Sequence, residues 1–331
     1  MSSLNSLKGE KMCKIFGVTS ITDNNRTKVI KLLTTMAPIM SQIDNDGFGY
    51  AAITKNGNVF GEKWLDVKKA FHKPPQPKKQ VVDAHNKLVS SFGNFLEIDE
   101  LPSDVIHGYF GEIDWNNAVS CMLHSRMATC GKTFDNVHPF FRENKALIHN
   151  GIIRNDNKFT KYVSTCDSEV LLSQYIDNKC DVSPENVEKA FNEIQGYYGT
   201  MILGKTLDNI PYLDIIKHHA NLCMCFVPTL DTFVICTKSE MLKDAFKLLK
   251  WSHSPIYEMK DDIYLRLNAI DGSQIIASQC NFKSSDTVNS YSYHEGQWKN
   301  DIYESTSKKD DYLNDDYGKA NNHINRYYRG R

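Results

Sequence analysis

At 331 residues the chain is long enough for one large domain or two ordinary ones, with a sizeable buried core. Lys+Arg total 39 against 40 Asp+Glu, a formal charge of -1, so no global field recruits nucleic acid or an anionic membrane. No stretch approaches the roughly 18 apolar residues of a membrane span, and residues 1–12 lack the apolar run of a secretion signal. The 9 cysteines are scattered without Cys-x-x-Cys pairs, which argues against a disulfide framework or a zinc site and for a reducing, cytosolic setting.

In chain order, Lys14 to Ser20 reads as a buried strand, and Thr27 to Ile43 carries apolar residues at helical spacing (Val29, Ile30, Leu32, Leu33, Met36, Ile39, Met40). Asp44-Asn-Asp-Gly47 breaks that helix. Phe48 to Thr54 is a strand that turns at Asn56-Gly57 into a second one. Residues 62–118 differ in composition: a Pro/Lys cluster over 73–79, a helical stretch from Val81 to Phe92 and an acidic turn, 97–104, read as an insertion between strands of the main sheet.

Strand composition returns over Val119–Ala128 and Lys145–Ile153, and a helix opens at Asp167 or Ser168 as N-cap. A second helix covers Pro184–Ile194. Strands follow at Gly199–Gly204, Leu222–Val227 and Thr232–Thr237, then a helix over Ser239–Leu249 and strands bracketing an Asp271-Gly272 turn. Strands at both ends with helices between them predict a layered α/β (α+β) domain over 13–280. From 281 to 331 the chain is polar with few aliphatics, a composition expected of a flexible tail, and its tyrosines offer a docking strip as an alternative.

The chemistry-bearing segments are Met12-Cys13-Lys14 near the start, Asp46-Gly47-Phe48-Gly49-Tyr50, His124-Ser-Arg126-Met-Ala-Thr129-Cys-Gly131, Asn136-Val-His138-Pro139, His149-Asn150-Gly151 and Cys166-Asp167-Ser168. A thiol attacks an amide as thiolate or with a base at hand. A guanidinium forks onto a carboxylate. Glycine lets a backbone N–H approach a developing oxyanion, and an Asn amide adds a second donor. Each of these residue types has a bland reading alone: core cysteine, solvated arginine, hairpin turn, helix cap.

In this order and spacing the set resembles the class II glutamine amidotransferases, the N-terminal-nucleophile family that takes ammonia from glutamine. The resemblance implies a four-layer α-β-β-α sandwich. It makes Cys13 the nucleophile with its own α-amino group as base, so that residues 1–12 would be a leader or propeptide that is removed. It implies Arg126, assisted by Thr129, for the substrate carboxylate, Asp167 for the substrate ammonium, and Asn150 with Gly151 as oxyanion hole. His138, Asp46 and Gly47 support the loops around them. Lys14 stands where relatives usually carry Gly, and Ile43-Asp44-Asn45 lacks an arginine that many relatives place there.

The expected activity is hydrolysis of the glutamine side-chain amide through a Cys13 thioester, needing no metal or organic cofactor. The chain shows no Gly-rich phosphate loop, so glutamine is the expected substrate and a separate synthase protein the expected ammonia acceptor, with neither nucleic acid nor membrane as partner. Two alternatives stand beside it: an amidohydrolase of the same type acting on another small or γ-glutamyl amide, and a catalytically silent scaffold binding partners through 62–118 and the tail.

Overall fold

The computed structural model describes residues 12–41, 46–66, 116–128, 131–180, 183–269, 276–282, 290–294 and 297–301. Residues 1–11 of the expected leader, the helix expected over 81–92, Thr129 and the Asp271-Gly272 turn lie outside them. So do Ile43-Asp44-Asn45 and most of the tail.

The first sheet is built from β1 (Lys14–Val18), β2 (Phe48–Thr54), β3 (Val59–Trp64), β4 (Ala118–Ser125), β9 (Cys223–Val227), β10 (Thr232–Cys236) and β11 (Tyr257–Glu258), in the order β11-β9-β10-β1-β4-β2-β3. Its pairings are antiparallel, with β1 central between β4 and β10. The second sheet runs β13-β12-β8-β7-β6-β5, from β5 (Phe140–Arg142), β6 (Lys145–Ile153), β7 (Gly196–Lys205), β8 (Pro211–His218), β12 (Ile263–Asn268) and β13 (Ile276–Asn281).

Alternation along each strand decides what lies between the sheets and what faces helices. On β1, Phe16 and Val18 join Leu33, Met36, Leu242 and Phe246 in a core under α1 (Arg26–Met40) and α4 (Ser239–Leu249). Gly17 points the other way, and a Cβ there would stand 2.7 Å from the Met201 sulfur of β7, so the two sheets pack face to face at this point. On the far side of the second sheet, Tyr198, Ile202 and Ile216 pack with Leu171, Leu172, Val187 and Phe191 of α2 (Glu169–Asp177) and α3 (Pro184–Phe191). Helices, sheet, sheet, helices: the layers are the α-β-β-α sandwich expected from the resemblance.

Two expectations need adjustment. β4 ends at Ser125, so Arg126 stands just past the strand rather than within it. β8 had not been anticipated: it opens on Pro211 and carries Asp214 and Lys217, signals that usually mark loops, yet it is central in the second sheet. Within the tail, Ser290–His294 (β14) pairs antiparallel with Gln297–Asp301 (β15).

Candidate functional site

The nucleophile candidate sits at the head of β1. On the pleat, Cys13 shares its face with Ile15 and Gly17, the face toward the second sheet. Its thiol donates to the Met127 carbonyl at 3.4 Å, and the Met127 N–H donates back to Sγ at 3.3 Å. Lys14, its neighbour, turns to the opposite face: its ammonium is buried and donates to the Met40 carbonyl at 3.1 Å, at the C-terminal end of α1. Burial lowers its pKa, with Lys238 adding to that and Cys236 opposing. The residue that departs from the family pattern is therefore spent on the helix layer and leaves the thiol's face clear.

Arg126 is 2% exposed. Its backbone is clamped by the loop before β2: the Arg126 N–H donates to Gly47 O and the Asp46 N–H to Arg126 O, each at 2.8 Å. Asp46 closes the clamp by accepting from the Ala128 N–H at 2.9 Å and pairing with Lys132 at 2.5 Å. Gly47 adopts φ +154, and a Cβ there would press Val137 at 2.9 Å, so glycine is required for both backbone and space.

From Arg126 a chain of bonds leads to the acidic candidate. Arg126 Nη2 donates to Gly131 O at 3.1 Å, which also accepts from Asn136 Nδ2 at 2.9 Å. Asn136 Oδ1 accepts the Thr165 N–H at 3.0 Å, two residues before Asp167. Asp167 does not cap α2; Ser168 holds the N-cap position, and its hydroxyl bonds to His149 Nδ1 at 2.7 Å instead of to the helix N–H groups. The Asp167 carboxylate instead accepts the Ile153 N–H at 2.7 Å, which fixes it against the end of β6 beside Gly151.

Asn150 is buried and Gly151 half-buried near that end of β6. Gly151 has φ +149, and a Cβ would lie 2.0 Å from the Tyr197 carbonyl. No other residue fits there without moving β7. One residue earlier, the His149 carbonyl is joined to His124 Nε2 at 3.0 Å, a bond from β6 to β4 that spans the two sheets. This bond sets Arg126, two residues past His124, and Asn150, one past His149, on one rim of the sandwich.

His138 is buried between these strands, stacked on His124 with centroids 4.0 Å apart, and neither ring nitrogen has a hydrogen-bond partner. Burial pushes the His124 pKa down to about 3 and holds His138 and His149 below the ordinary histidine range. An imidazole enclosed in this way is favoured in its neutral form by burial.

Thr129 lies outside the described residues. The sequence reading missed Tyr197. This half-buried residue pairs with Ile152, and its phenol is close enough to feel Arg154, Asp167 and Cys13. Burial raises its pKa; Arg154 opposes, and Asp167 and Cys13 add to the rise. Its place opposite the residue after Asn150-Gly151 was a signal that pairing alone reveals. Asn136 was seen only as part of a motif, although it ties Gly131 to Thr165. Arg126 and Asn150 are buried, whereas Cys13, Met127, Gly151, Asp167 and Tyr197 are partly exposed.

No family model matches the chain. Glutamine–fructose-6-phosphate aminotransferase (isomerizing) of Helicobacter pylori is 37% identical over 96 residues, 25% of this chain and 16% of that protein. The match therefore spans less than a fifth of the curated relative. A solved glutamine phosphoribosylpyrophosphate amidotransferase from B. subtilis aligns with a TM-score of 0.48 at 15% identity, over 77% of this chain and 47% of that one. Over those 96 residues the chain is similar in sequence to part of a class II glutamine amidotransferase, the class of enzymes its motifs resemble.

Proposed function

We propose that this chain is a glutaminase module: it hydrolyses the side-chain amide of glutamine and delivers ammonia to a separate acceptor protein. The observation that carries the reading is the Cys13 thiol engaged by the Met127 backbone, one residue from buried Arg126, on the rim where β6 presents Asn150 and Gly151. The name of the Helicobacter pylori relative, which contains glutamine, supports the substrate.

In this reading residues 1–12 are removed, and the freed α-amine of Cys13, with an ordinary pKa of roughly 7.7–8.0, takes the thiol proton. The sulfur bonds to the amide carbon, and the carbonyl electron pair becomes an oxyanion held by the Asn150 amide and the Gly151 N–H. Collapse re-forms C=O and breaks C–N; the α-ammonium gives its proton to the leaving nitrogen, and ammonia departs. Water, deprotonated by the same amine, cleaves the γ-glutamyl thioester to glutamate and the free thiol. Arg126 and Thr129 hold the α-carboxylate and Asp167 the α-ammonium, with Tyr197 beside Asp167 and Cys13. None of these steps calls on a metal or organic cofactor. Free, buried thiols such as Cys121, Cys223, Cys225 and Cys236 support a reducing, cytosolic setting.

The test is intact mass before and after treatment with an electrophilic glutamine analogue, alongside Cys13→Ala. A chain that begins at Cys13 and takes one adduct, absent in Cys13→Ala, is the expected result. A retained leader with no adduct and no ammonia release from glutamine would overturn the reading.

A further inference from the structure

Away from the thiol, the second sheet carries another cluster of chemistry-bearing side chains. At the C-terminal end of β8, alternation continues from Asp214 and Ile216 to His218, so its ring lies on the helix-facing side, 5.2 Å from the Tyr198 ring and 6.5 Å from Phe282. Tyr197, which senses Cys13, is on the opposite face. His219 follows with φ 50, and Asp262, just before β12, has φ 56. Both are left-handed conformations in which Asp and His are enriched among non-glycine residues but which still cost energy.

His218, His219 and Asp262 each offer a ligand atom, and these atoms all lie within 4.8 Å of one another. His218 is 1% exposed; its Nδ1 faces the Asp262 carboxylate, while its Nε2 is buried without a hydrogen-bond partner. His219 Nδ1 meets the Asp261 carboxylate at 3.1 Å, and Asp261 also pairs with Lys217. Two carboxylates against one ammonium leave the local charge favourable to a cation. A carboxylate on one imidazole nitrogen is also the outer contact that fixes the tautomer of a metal-binding histidine. The scattered cysteines spoke against a thiolate zinc site; they do not bear on a histidine–aspartate set.

We propose that His218, His219 and Asp262 bind one divalent transition-metal ion of the zinc class, with Asp261 orienting His219. Two imidazoles and a carboxylate suit such ions better than the oxygen-seeking magnesium or calcium. Three protein ligands leave further positions for water. His218 is buried and His219 exposed, so the ion enters from the solvent side. Once bound, it ties the end of β8 to the turn before β12. This proposal stands apart from the glutaminase reading, because its test does not measure glutamine turnover.

Full-length protein is stripped with chelator and titrated with Zn2+ by calorimetry, and with Co2+ by absorption, in the wild type, His219→Ala and Asp262→Asn. The expected wild-type result is one ion per chain, a Co2+ spectrum without thiolate charge-transfer bands, and a zinc-dependent rise in Tm. Each variant is expected to weaken binding at least tenfold. The metal-free Tm of His219→Ala, altered at an exposed side chain, is read alongside, so that a loss of folding is told apart from the loss of a ligand. No binding in the wild type, binding unchanged in both variants, or thiolate bands in the Co2+ spectrum would each overturn the site.

Discussion

The two sheets of the sandwich bury different materials beneath their helices. Under α1 and α4 the first sheet packs aliphatics, aromatics and thiols: Leu33, Met36, Leu242, Phe246, Cys223 and Cys236. Beneath α2 the second sheet encloses, beside apolar residues such as Leu171, Ile202 and Ile216, a charge network. Asp214, fully buried, takes Arg266 through Nε and Nη2, each at 2.7 Å, and accepts from the hydroxyls of Tyr175 at 2.5 Å and Tyr264 at 2.7 Å. The Arg266 guanidinium lies 3.7 Å from the Tyr212 ring centroid. An apolar layer loses stability in proportion to what is cut from it, whereas a satisfied polar network fails when one member is removed.

That contrast is sharpest at Asp214. Asp214→Ala leaves Arg266 buried and unpaired, a change expected to cost about 3–5 kcal/mol. Leu33→Ala, at a fully buried position under α1, is expected to cost about 2–5 kcal/mol, with the cavity setting where in that range it falls. The double replacement Asp214→Leu with Arg266→Met removes the charges together and is expected to recover most of the loss, while nothing comparable rescues Leu33→Ala. Urea unfolding of the four proteins checks this. A double variant no better than Asp214→Ala would break the comparison.

The same contrast explains what could be read in the sequence. β2, β6 and α4 were expected over the residues where they stand, because their apolar residues follow the period of the element. β8 was missed because Asp214 and Lys217 look like surface charges until Arg266 and Asp261, some fifty residues later, are known to neutralise them. Likewise Cys13, Arg126, Asn150, Gly151 and Asp167 were singled out as candidates through motifs, since each lies in a short segment of recognisable type. Tyr197 and the partner of Asp167 were not, because their places depend on the pairing of β6 with β7.

Acid should separate the layers next. Burial holds the folded pKa of His124 near 3, and those of His138 and His149 below the ordinary range, while the unfolded chain binds these protons near 6.5. Folded values below unfolded ones mean a stability contribution that is complete above about pH 6.5 and is lost progressively toward pH 3. Urea midpoints are expected to fall across that window, and the slope is expected to be shallower in His124→Asn. An unchanged slope would mean that another group drives the loss.

The smallest effect belongs to Asp46, and it separates stability from function. Burial pushes its pKa up, but the Lys132 hydrogen bond and the Ala128 N–H outweigh that and leave it below the ordinary carboxylate value. Its contribution is therefore present above about pH 3.9 and lost as pH falls through the lower folded value. Lys132 is 71% exposed, so the ion pair adds less than about 1 kcal/mol, and Asp46→Asn is expected to leave Tm nearly unchanged. What the variant loosens is the loop that sets Arg126: the Ala128 N–H loses a charged acceptor, while the backbone bonds between Asp46, Gly47 and Arg126 remain. If Arg126 holds the glutamine carboxylate, KM for glutamine should rise on the order of fivefold, the equivalent of about 1 kcal/mol, with kcat little altered. A fall in kcat at constant KM would instead place Asp46 in the chemical step and require Arg126 to be reassigned. Equal KM and kcat would show that the clamp holds its geometry without the charge.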